Sequence, residues 1–243
     1  MIRSFLDGFL QDALPEETVK SFSSLKRVEI DRIRDDNDKT LLHYAARGHP
    51  QIVRLLVDQG ADVNSEDCYS NMPLLVAVSV GQSEIASFLL ERGVNVNYFN
   101  VHRHYGYTAL ILAAKMGNHE VMELLLKHGA DVNIMDIDGR TALHDACYVG
   151  YLDSVRLLVS NGADVRSKSN DGSTPLHKAC DGAPKAVVEF LVDNGADVNE
   201  ADNDGRTPLH LVAESGDVEL FQYLEQNGAD AQARDENGCS PFH

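Results

Sequence analysis

The chain has 243 residues, of which 43% are hydrophobic and 24% are charged, a composition typical of a folded globular protein. Its formal charge of −17 excludes a nucleic-acid backbone or an anionic membrane surface as the natural partner, because both would repel it. No apolar run approaches the roughly 20 residues that span a bilayer, and four scattered cysteines favour a reducing compartment.

The first 34 residues lack the internal repeat found in the rest of the chain. Ile2, Phe5, Leu6 and Phe9 recur at the spacing of an amphipathic helix, and Pro15 ends or restarts it. Two interpretations are open: a cap that covers one end of the following array, as solenoids require, and a docking helix for a partner. We expect the cap, and therefore a helical capping segment over 1–34 and a repeat array over 35–243.

Residues 35–243 carry two sequence signals that recur together. A four-residue signal of the form TPLH is followed about 20 residues later by a signal of the form GADVN, which begins at residues 60, 93, 129, 162, 195 and 228. Two signals in one rhythm predict a repeat architecture. The first signal begins, in steps of 32, 36, 33, 33, 33 and 33 residues, at Thr40, Met72, Thr108, Thr141, Thr174, Thr207 and Ser240.

One unit shows why each repeat predicts a turn and two helices. Around Thr141, Asp138 and Gly139 form a turn, Thr141 caps a first helix and Gly150 ends it. A second helix follows with its apolar residues on one face, and Gly162 provides a left-handed C-terminal cap. No unit can bury its own apolar face, so we expect neighbouring units to stack into one continuous core.

These motifs resemble the ankyrin repeat family, whose unit is a β-turn and two antiparallel helices of about 33 residues. The resemblance covers about residues 35–243 and implies an all-α solenoid of six to seven helix–turn–helix units with β-turn fingers. It implies a non-catalytic scaffold or adaptor that binds proteins, because the family shares a scaffold and not one activity. We expect a monomeric array in the cytoplasm, with the nucleus as the alternative location.

The unit that begins at Thr108 carries a three-residue insertion in its finger. The finger reads YFNVHRHYGY over residues 98–107 and holds four of the chain's 16 aromatic residues, Tyr98, Phe99, Tyr105 and Tyr107. Tyrosine beside arginine and histidine is the composition of a binding hot spot, and we predict binding first for Tyr105 and Tyr107. The other interpretation is that Tyr98 and Phe99 fold back on neighbouring turns.

In the ankyrin family, partners dock on a concave face built from the turn tips and the exposed positions of the first helices. Carried onto this sequence, the middle units offer aromatics and the later units mostly acids, which predicts a basic protein or peptide with an apolar anchor. For the acidic residues taken singly, solubility of the array is the competing interpretation. The candidate partner-binding residues are Tyr69, Tyr98, Phe99, His104, Tyr105, Tyr107, Met116, Arg140, Asp145, Tyr148, Lys178, Asp181, Arg206 and Glu214.

The histidines and cysteines do not predict a catalytic or metal site. The H-x-H pair at 102–104 lacks further ligands at the usual spacing, and no phosphate-binding or nucleophile motif occurs. We therefore expect no cofactor, no metal and no catalysis. Five histidines instead close the TPLH signal, where the family's histidine hydrogen-bonds one unit to the next: His43, His144, His177, His210 and His243.

Two further hypotheses concern modification and completeness. Asn64, Asn97, Asn133 and Asn199 resemble sites that asparaginyl hydroxylases accept, and the alternative is that each side chain closes its own turn. Because a seventh unit opens just before His243, we expect a fragment or a stack that continues in a longer form. The alternative function is then the targeting domain of a larger enzyme, such as a ubiquitin ligase or a kinase, or of a channel.

Overall fold

The computed structural model of the chain describes residues 30–100 and 106–242. The predicted N-terminal helix, the finger residues His104 and Tyr105, and His243 lie outside these ranges. The predictions made for those residues therefore stay predictions.

Twelve α-helices occur in the described ranges, as six consecutive pairs, and the only β-type pairing there is an isolated bridge between Arg34 and Thr40. This confirms the predicted all-α fold of helix–turn–helix units. None of the helices in these ranges has the length and hydropathy that a membrane crossing needs. The first helices of the pairs are α1 (Leu41–Ala45), α3 (Pro73–Ser79), α5 (Ala109–Lys115), α7 (Ala142–Val149), α9 (Pro175–Cys180) and α11 (Pro208–Ser215). The second helices are α2 (Pro50–Asp58), α4 (Ser83–Glu91), α6 (His119–Lys127), α8 (Leu152–Ser160), α10 (Lys185–Asp193) and α12 (Val218–Gln226).

The helices belong to two compact units, each with its own apolar core. The first unit contains α1–α4 with most of α5 and α6, and Leu56 and Leu89 are fully buried in it. The second unit consists of Ala114–His119 and the chain from Asp131 onward, and Leu143 and Leu158 are fully buried in it. Each core follows the apolar faces of the helices, as the helical periodicity of the sequence predicts.

A short finger precedes each first helix and is closed by a polar side chain. In the second unit, Asp136 Oδ1 accepts hydrogen bonds from the backbone N–H groups of Asp138 (2.9 Å) and Arg140 (2.8 Å). Asp202 makes the equivalent pair of bonds two repeats later. In these two repeats a single carboxylate therefore fixes the turn and presents its tip to solvent.

Backbone hydrogen bonds join consecutive fingers of the second unit. The N–H of Asn170 donates to the carbonyl of Asp138 at 2.8 Å, and the same bond recurs at the next two fingers. Gly139 lies at this junction with φ 74°, in the left-handed region that favours glycine. A Cβ there would stand 2.6 Å from Asn170 Oδ1 and 2.8 Å from its backbone nitrogen, so the junction excludes any larger residue.

Gly139→Ala is expected to lower the free energy of unfolding by about 1–3 kcal/mol more than Gly162→Ala does. This difference is the usual cost of inserting extra atoms into a packed site. Both glycines have positive φ, 74° and 88°, so the backbone strain is common to the two variants. Only Gly139 faces a neighbouring finger, because nothing lies within 4 Å of a Cβ at Gly162. Urea unfolding of the two variants measures the difference, and equal losses would show that the fingers are not held together at this junction.

The buried histidine of the TPLH signal joins each of these repeats to the next one, as the resemblance implied. His144 Nδ1 accepts a hydrogen bond from the backbone N–H of Thr141 at 3.1 Å, so this nitrogen carries no proton. The proton therefore sits on Nε2, which donates to the carbonyl of Ser173 at 3.2 Å. His43, His177 and His210 each make the same two contacts, one within their own repeat and one to the next repeat.

The asparagine after the GADV step also bonds to the next repeat. The alternative in which each asparagine side chain closes its own turn is therefore wrong. Asn133 Nδ2 donates to the carbonyl of Gly162 at 3.2 Å, and its Oδ1 accepts from the N–H of Asp164 at 3.1 Å. The turn itself is closed by Asp131, whose Oδ1 accepts from the backbone of Asn133. Hydroxylation of these asparagines stays a hypothesis.

Candidate protein-interaction surface

Large apolar side chains are exposed around the ends of first helices in the second unit. Met116, just after α5, is 56% exposed, and Tyr148, in the last turn of α7, is 59% exposed. Tyr151 is 52% exposed, and its ring lies over Gly117, where any side chain would collide with it. Gly117 follows Met116 directly, and Tyr148 lies three residues before Tyr151, so we treat Met116, Tyr148 and Tyr151 as one group and call it the apolar patch. Exposed apolar groups of this size mark interaction sites when they are grouped, and need no explanation when they are scattered.

The repeat position that Tyr148 occupies is not apolar in the later repeats. The position of Tyr148 is occupied by Asp181 after α9 and by Glu214 in α11, and both acids are exposed. Arg206, on the finger before α11, is neutralised by Asp202 at 3.1 Å and Asp204 at 3.4 Å. At this one position of the repeat, the exposed side chain therefore changes from tyrosine to an acid along the later repeats.

Asp145 is a nearly buried carboxylate on α7, with 8% of its surface exposed. Its Oδ2 is enclosed and has no hydrogen-bond partner among the described residues. Burial raises the pKa of Asp145 to about 6, and Asp136 acts in the same direction, while Lys115, Arg140 and Lys178 oppose the shift. At neutral pH this carboxylate is therefore mostly ionised, although burial disfavours its charged form.

The cations around Asp145 bond to other groups. Lys178 Nζ lies 3.3 Å from Asp171 Oδ2, and Arg140 Nη1 lies 3.9 Å from Asp138 Oδ2. Arg140 Nε is also buried, and within the described part of the chain it has no hydrogen-bond partner. A carboxylate oxygen and a guanidinium nitrogen are thus both left unsatisfied in this region, where natural proteins normally pair such groups.

The candidates of the first unit are less exposed than the sequence predicted. Tyr69 is 37% exposed on its finger, whereas Tyr98, Phe99 and Tyr107 are half-buried. The Tyr98 hydroxyl bonds to Glu66 and Ser70, and burial together with the Glu66 bond raises the pKa of Tyr98 to about 12. Tyr98 therefore matches the interpretation in which it folds back on the preceding finger. His104 and Tyr105 lie outside the described residues.

Two features of this surface were missed by sequence reasoning. Tyr151 was not a candidate, and the pair of tyrosines three residues apart around Gly150 is the signal that would have found it. Asp145 was predicted as an exposed position and is buried instead. No arrangement of three or more His, Cys, Asp or Glu residues in 30–100 and 106–242 could hold a metal ion.

Comparison with known proteins agrees with this architecture. The family described as ankyrin repeats (3 copies) matches residues 11–100, 98–169 and 163–235. The crystal structure of the human ASB11 ankyrin repeat domain is 29% identical and superposes with a TM-score of 0.76, covering 84% of this chain and 90% of that one.

Two curated relatives are similar over shorter stretches. Protein phosphatase 1 regulatory subunit 27 of Mus musculus is 40% identical over 91 residues, which are 37% of this chain and 58% of that protein. The transient receptor potential cation channel subfamily A member 1 homolog of Caenorhabditis elegans is 35% identical over 65 residues, 26% of this chain and 5% of that protein. The matched part of the chain thus spans between about a twentieth and three fifths of the length of these relatives. Together, the family match over most of the sequence and the repeated helix pairs show that the chain belongs to the ankyrin repeat family.

Proposed function

We propose that this chain is a non-catalytic scaffold or adaptor that binds a protein or peptide through its fingers and first helices, with the 98–107 finger contributing. Ankyrin repeat domains are generally protein-interaction modules. The observation that carries the proposal is the apolar patch, in which Met116, Tyr148 and Tyr151 are each more than half exposed. Burying such side chains in an interface recovers roughly 25 cal/mol per Å² of apolar surface.

The charge of the second unit defines the partner further. Residues 131–243 contain 21 acidic and eight basic residues. Such a surface accelerates the approach of a positively charged partner and disfavours an acidic one. The matching partner therefore carries an apolar anchor for the patch and basic residues for the surrounding acids.

A targeting role within a larger protein is the second candidate. It is supported by the relatives, which include a regulatory subunit and a channel homologue of which this chain spans only part. In that role the repeat array selects the partner, and a separate domain carries the activity. The sequence of the full-length transcript tests this candidate directly, since it either encodes a further domain or does not.

The main test is whether substitutions in the 98–107 finger and in the apolar patch weaken partner binding. Tyr105→Ala with Tyr107→Ala, and Met116→Ala with Tyr148→Ala, are each expected to weaken partner binding by about 2 kcal/mol, roughly 30-fold, because truncated aromatics dominate interface energies. The melting temperature is expected to stay nearly unchanged. Affinity purification with mass spectrometry identifies partners of the wild type, and titration of a purified partner measures each loss.

Gln222→Ala provides the control, because Gln222 is exposed on a second helix. It is expected to leave binding unchanged. Equal binding by the control and both double variants would refute the proposed surface. If only the Tyr105/Tyr107 variant binds normally, the 98–107 finger is structural and the helix surface alone is the site.

A further inference from the structure

Resting on the proposed function, we propose that the finger at residues 134–140 binds a large apolar side chain of an extended partner segment, whose basic residues lie over the later fingers. We call residues 134–140 the anchor finger. The observation that carries the inference is a pair of exposed aliphatic side chains on it. Met135 and Ile137 are each 45% exposed, and neither was a candidate from the sequence. Exposed apolar side chains that are grouped on one surface mark interaction sites.

The fold does not require apolar side chains at these two positions. Asp136 and Asp202 close equivalent turns, so the residues before and after the closing residue can be compared between fingers. In the three later fingers these residues are polar or small, so the aliphatic pair is peculiar to the anchor finger within the second unit. The corresponding pairs are Lys168 and Asn170, Ala201 and Asn203, and Arg234 and Glu236.

Hydrogen bonds fix the backbone of the anchor finger on both sides of its tip. Asp136 Oδ1 accepts from two N–H groups within the finger. Asn170 Nδ2 donates to the carbonyl of Ile137 at 2.8 Å, and the N–H of Asn170 donates to the carbonyl of Asp138 at 2.8 Å. A backbone that is already ordered loses little further entropy when a partner binds. Met135 and Ile137 are therefore presented on a preorganised finger.

The anchor finger is separate from the apolar patch. It precedes α7, whereas Tyr148 lies in the last turn of that helix. From Ala142, the first residue of α7, to Tyr148 the helix rises about 9 Å. Substitutions in the anchor finger and in the apolar patch therefore act on different contacts with the partner.

Charge complementarity defines the segment that fits the anchor finger. The four fingers at 134–140, 167–173, 200–206 and 233–239 contain eight acidic and four basic residues. Lys178 pairs with Asp171 from outside the fingers, so three carboxylates remain in excess after every base is counted. A segment with an apolar residue and basic residues matches this surface, and an acidic segment is disfavoured.

The excess of acid begins two fingers after the anchor finger. At 167–173 the charges of Lys168 and Asp171 balance, whereas at 200–206 the single Arg206 lies 3.1 Å from Asp202 and 3.4 Å from Asp204. The side chain of Asp204 is 70% exposed. Packed helices lie about 8–10 Å apart, so two repeats span about 16–20 Å. An extended segment covers that distance in about five or six residues, and we expect its basic residue at this separation from the apolar one.

A peptide library tests the anchor finger directly. The probe is a positional-scanning library of twelve-residue peptides with leucine, phenylalanine or tryptophan fixed at the third position from either end. Met135→Ala with Ile137→Asn introduces the residue types found at 201 and 203 and leaves the net charge unchanged. This variant is expected to bind the peptides selected by wild type about tenfold more weakly, because the apolar contact is lost. Val218→Ala is the matched control, since Val218 is a 67% exposed apolar residue on α12, and it is expected to bind within about twofold of wild type.

The same library measures the charge preference. Wild type is expected to enrich arginine or lysine about tenfold over glutamine five or six residues from the fixed apolar residue, the effect of one charge-assisted hydrogen bond. Asp204→Asn is expected to reduce this enrichment to about threefold or less while it keeps the requirement for the apolar residue.

Several results would overturn the inference. They are unchanged peptide binding by the Met135/Ile137 variant, a clearly lower melting temperature of that variant, and a basic preference that is absent in wild type or unchanged in Asp204→Asn. In each case, weaker binding of a protein partner by Met116→Ala with Tyr148→Ala leaves the proposed function in place. If no library peptide binds wild type, the inference fails, and capture of a protein partner decides the proposed function by itself.

Discussion

His144→Ala is expected to lower the free energy of unfolding by about 4 kcal/mol. The substitution removes both ring hydrogen bonds and leaves the N–H of Thr141 and the carbonyl of Ser173 without the ring as their partner. A buried polar group left unsatisfied costs about 1–3 kcal/mol, and the space vacated by the ring adds to the loss. Urea unfolding followed by circular dichroism measures the change.

Tyr148→Ala is the matched control for this prediction, because Tyr148 lies on the same helix and is exposed. Its effect is expected to stay within about 0.5 kcal/mol, as for most surface substitutions. A loss below about 1 kcal/mol for His144→Ala would mean that the histidine bonds do not hold adjacent repeats together.

Acidification from pH 7 to pH 4 is expected to remove several kcal/mol of stability. Burial lowers the pKa of His144 to about 4, and burial also lowers the pKa of His43 and of His177. The unfolded chain takes up these protons near pH 6.5, before the folded protein does, so stability is complete above that pH and falls as the pH drops toward 4. For His144 alone the loss is about 3 kcal/mol.

Asp145 acts in the opposite direction over part of this range. Because its pKa in the folded protein is raised to about 6, the folded state binds this proton first, and acidification from pH 6 toward pH 4 relieves the buried charge. Urea unfolding at several pH values between 7 and 4 separates the two effects. His144→Ala should flatten the pH dependence and Asp145→Asn should steepen it. A His144→Ala variant with the wild-type pH dependence would contradict the assignment to this histidine.

The repeat fold could be predicted from sequence because its local signals have fixed structural causes. Gly139 and Gly162 have the positive φ expected of turn and cap residues. Thr141 caps α7, and Gly150 ends it in the left-handed conformation. These signals act over four residues or fewer, so a single unit contains all the information needed to recognise them.

The burial of Asp145 and the bridging role of Asn133 could not be predicted in the same way. Both depend on what the neighbouring repeat places against them, as in the bond from Asn133 to the carbonyl of Gly162. Repeat register predicted that Asp145 lies exposed on the candidate face, but it could not show that the packed neighbours enclose one of its oxygens. The sequence thus supplied the candidate residues, whereas the burial of Asp145 and the contacts of Asn133 required the three-dimensional arrangement.

The histidine bonds between repeats have a consequence for how such a chain can change in length. In the second unit, the bonds from His144, His177 and His210 each span 29 residues, from a helix start to the end of the next finger. Duplication or deletion of one whole 33-residue module recreates every such bond with an identical span. Insertions at a fingertip are tolerated for the same reason, because the finger closes behind them, as in the bond from Asn100 to Tyr107. The array can therefore gain or lose entire modules by recombination while each junction stays intact.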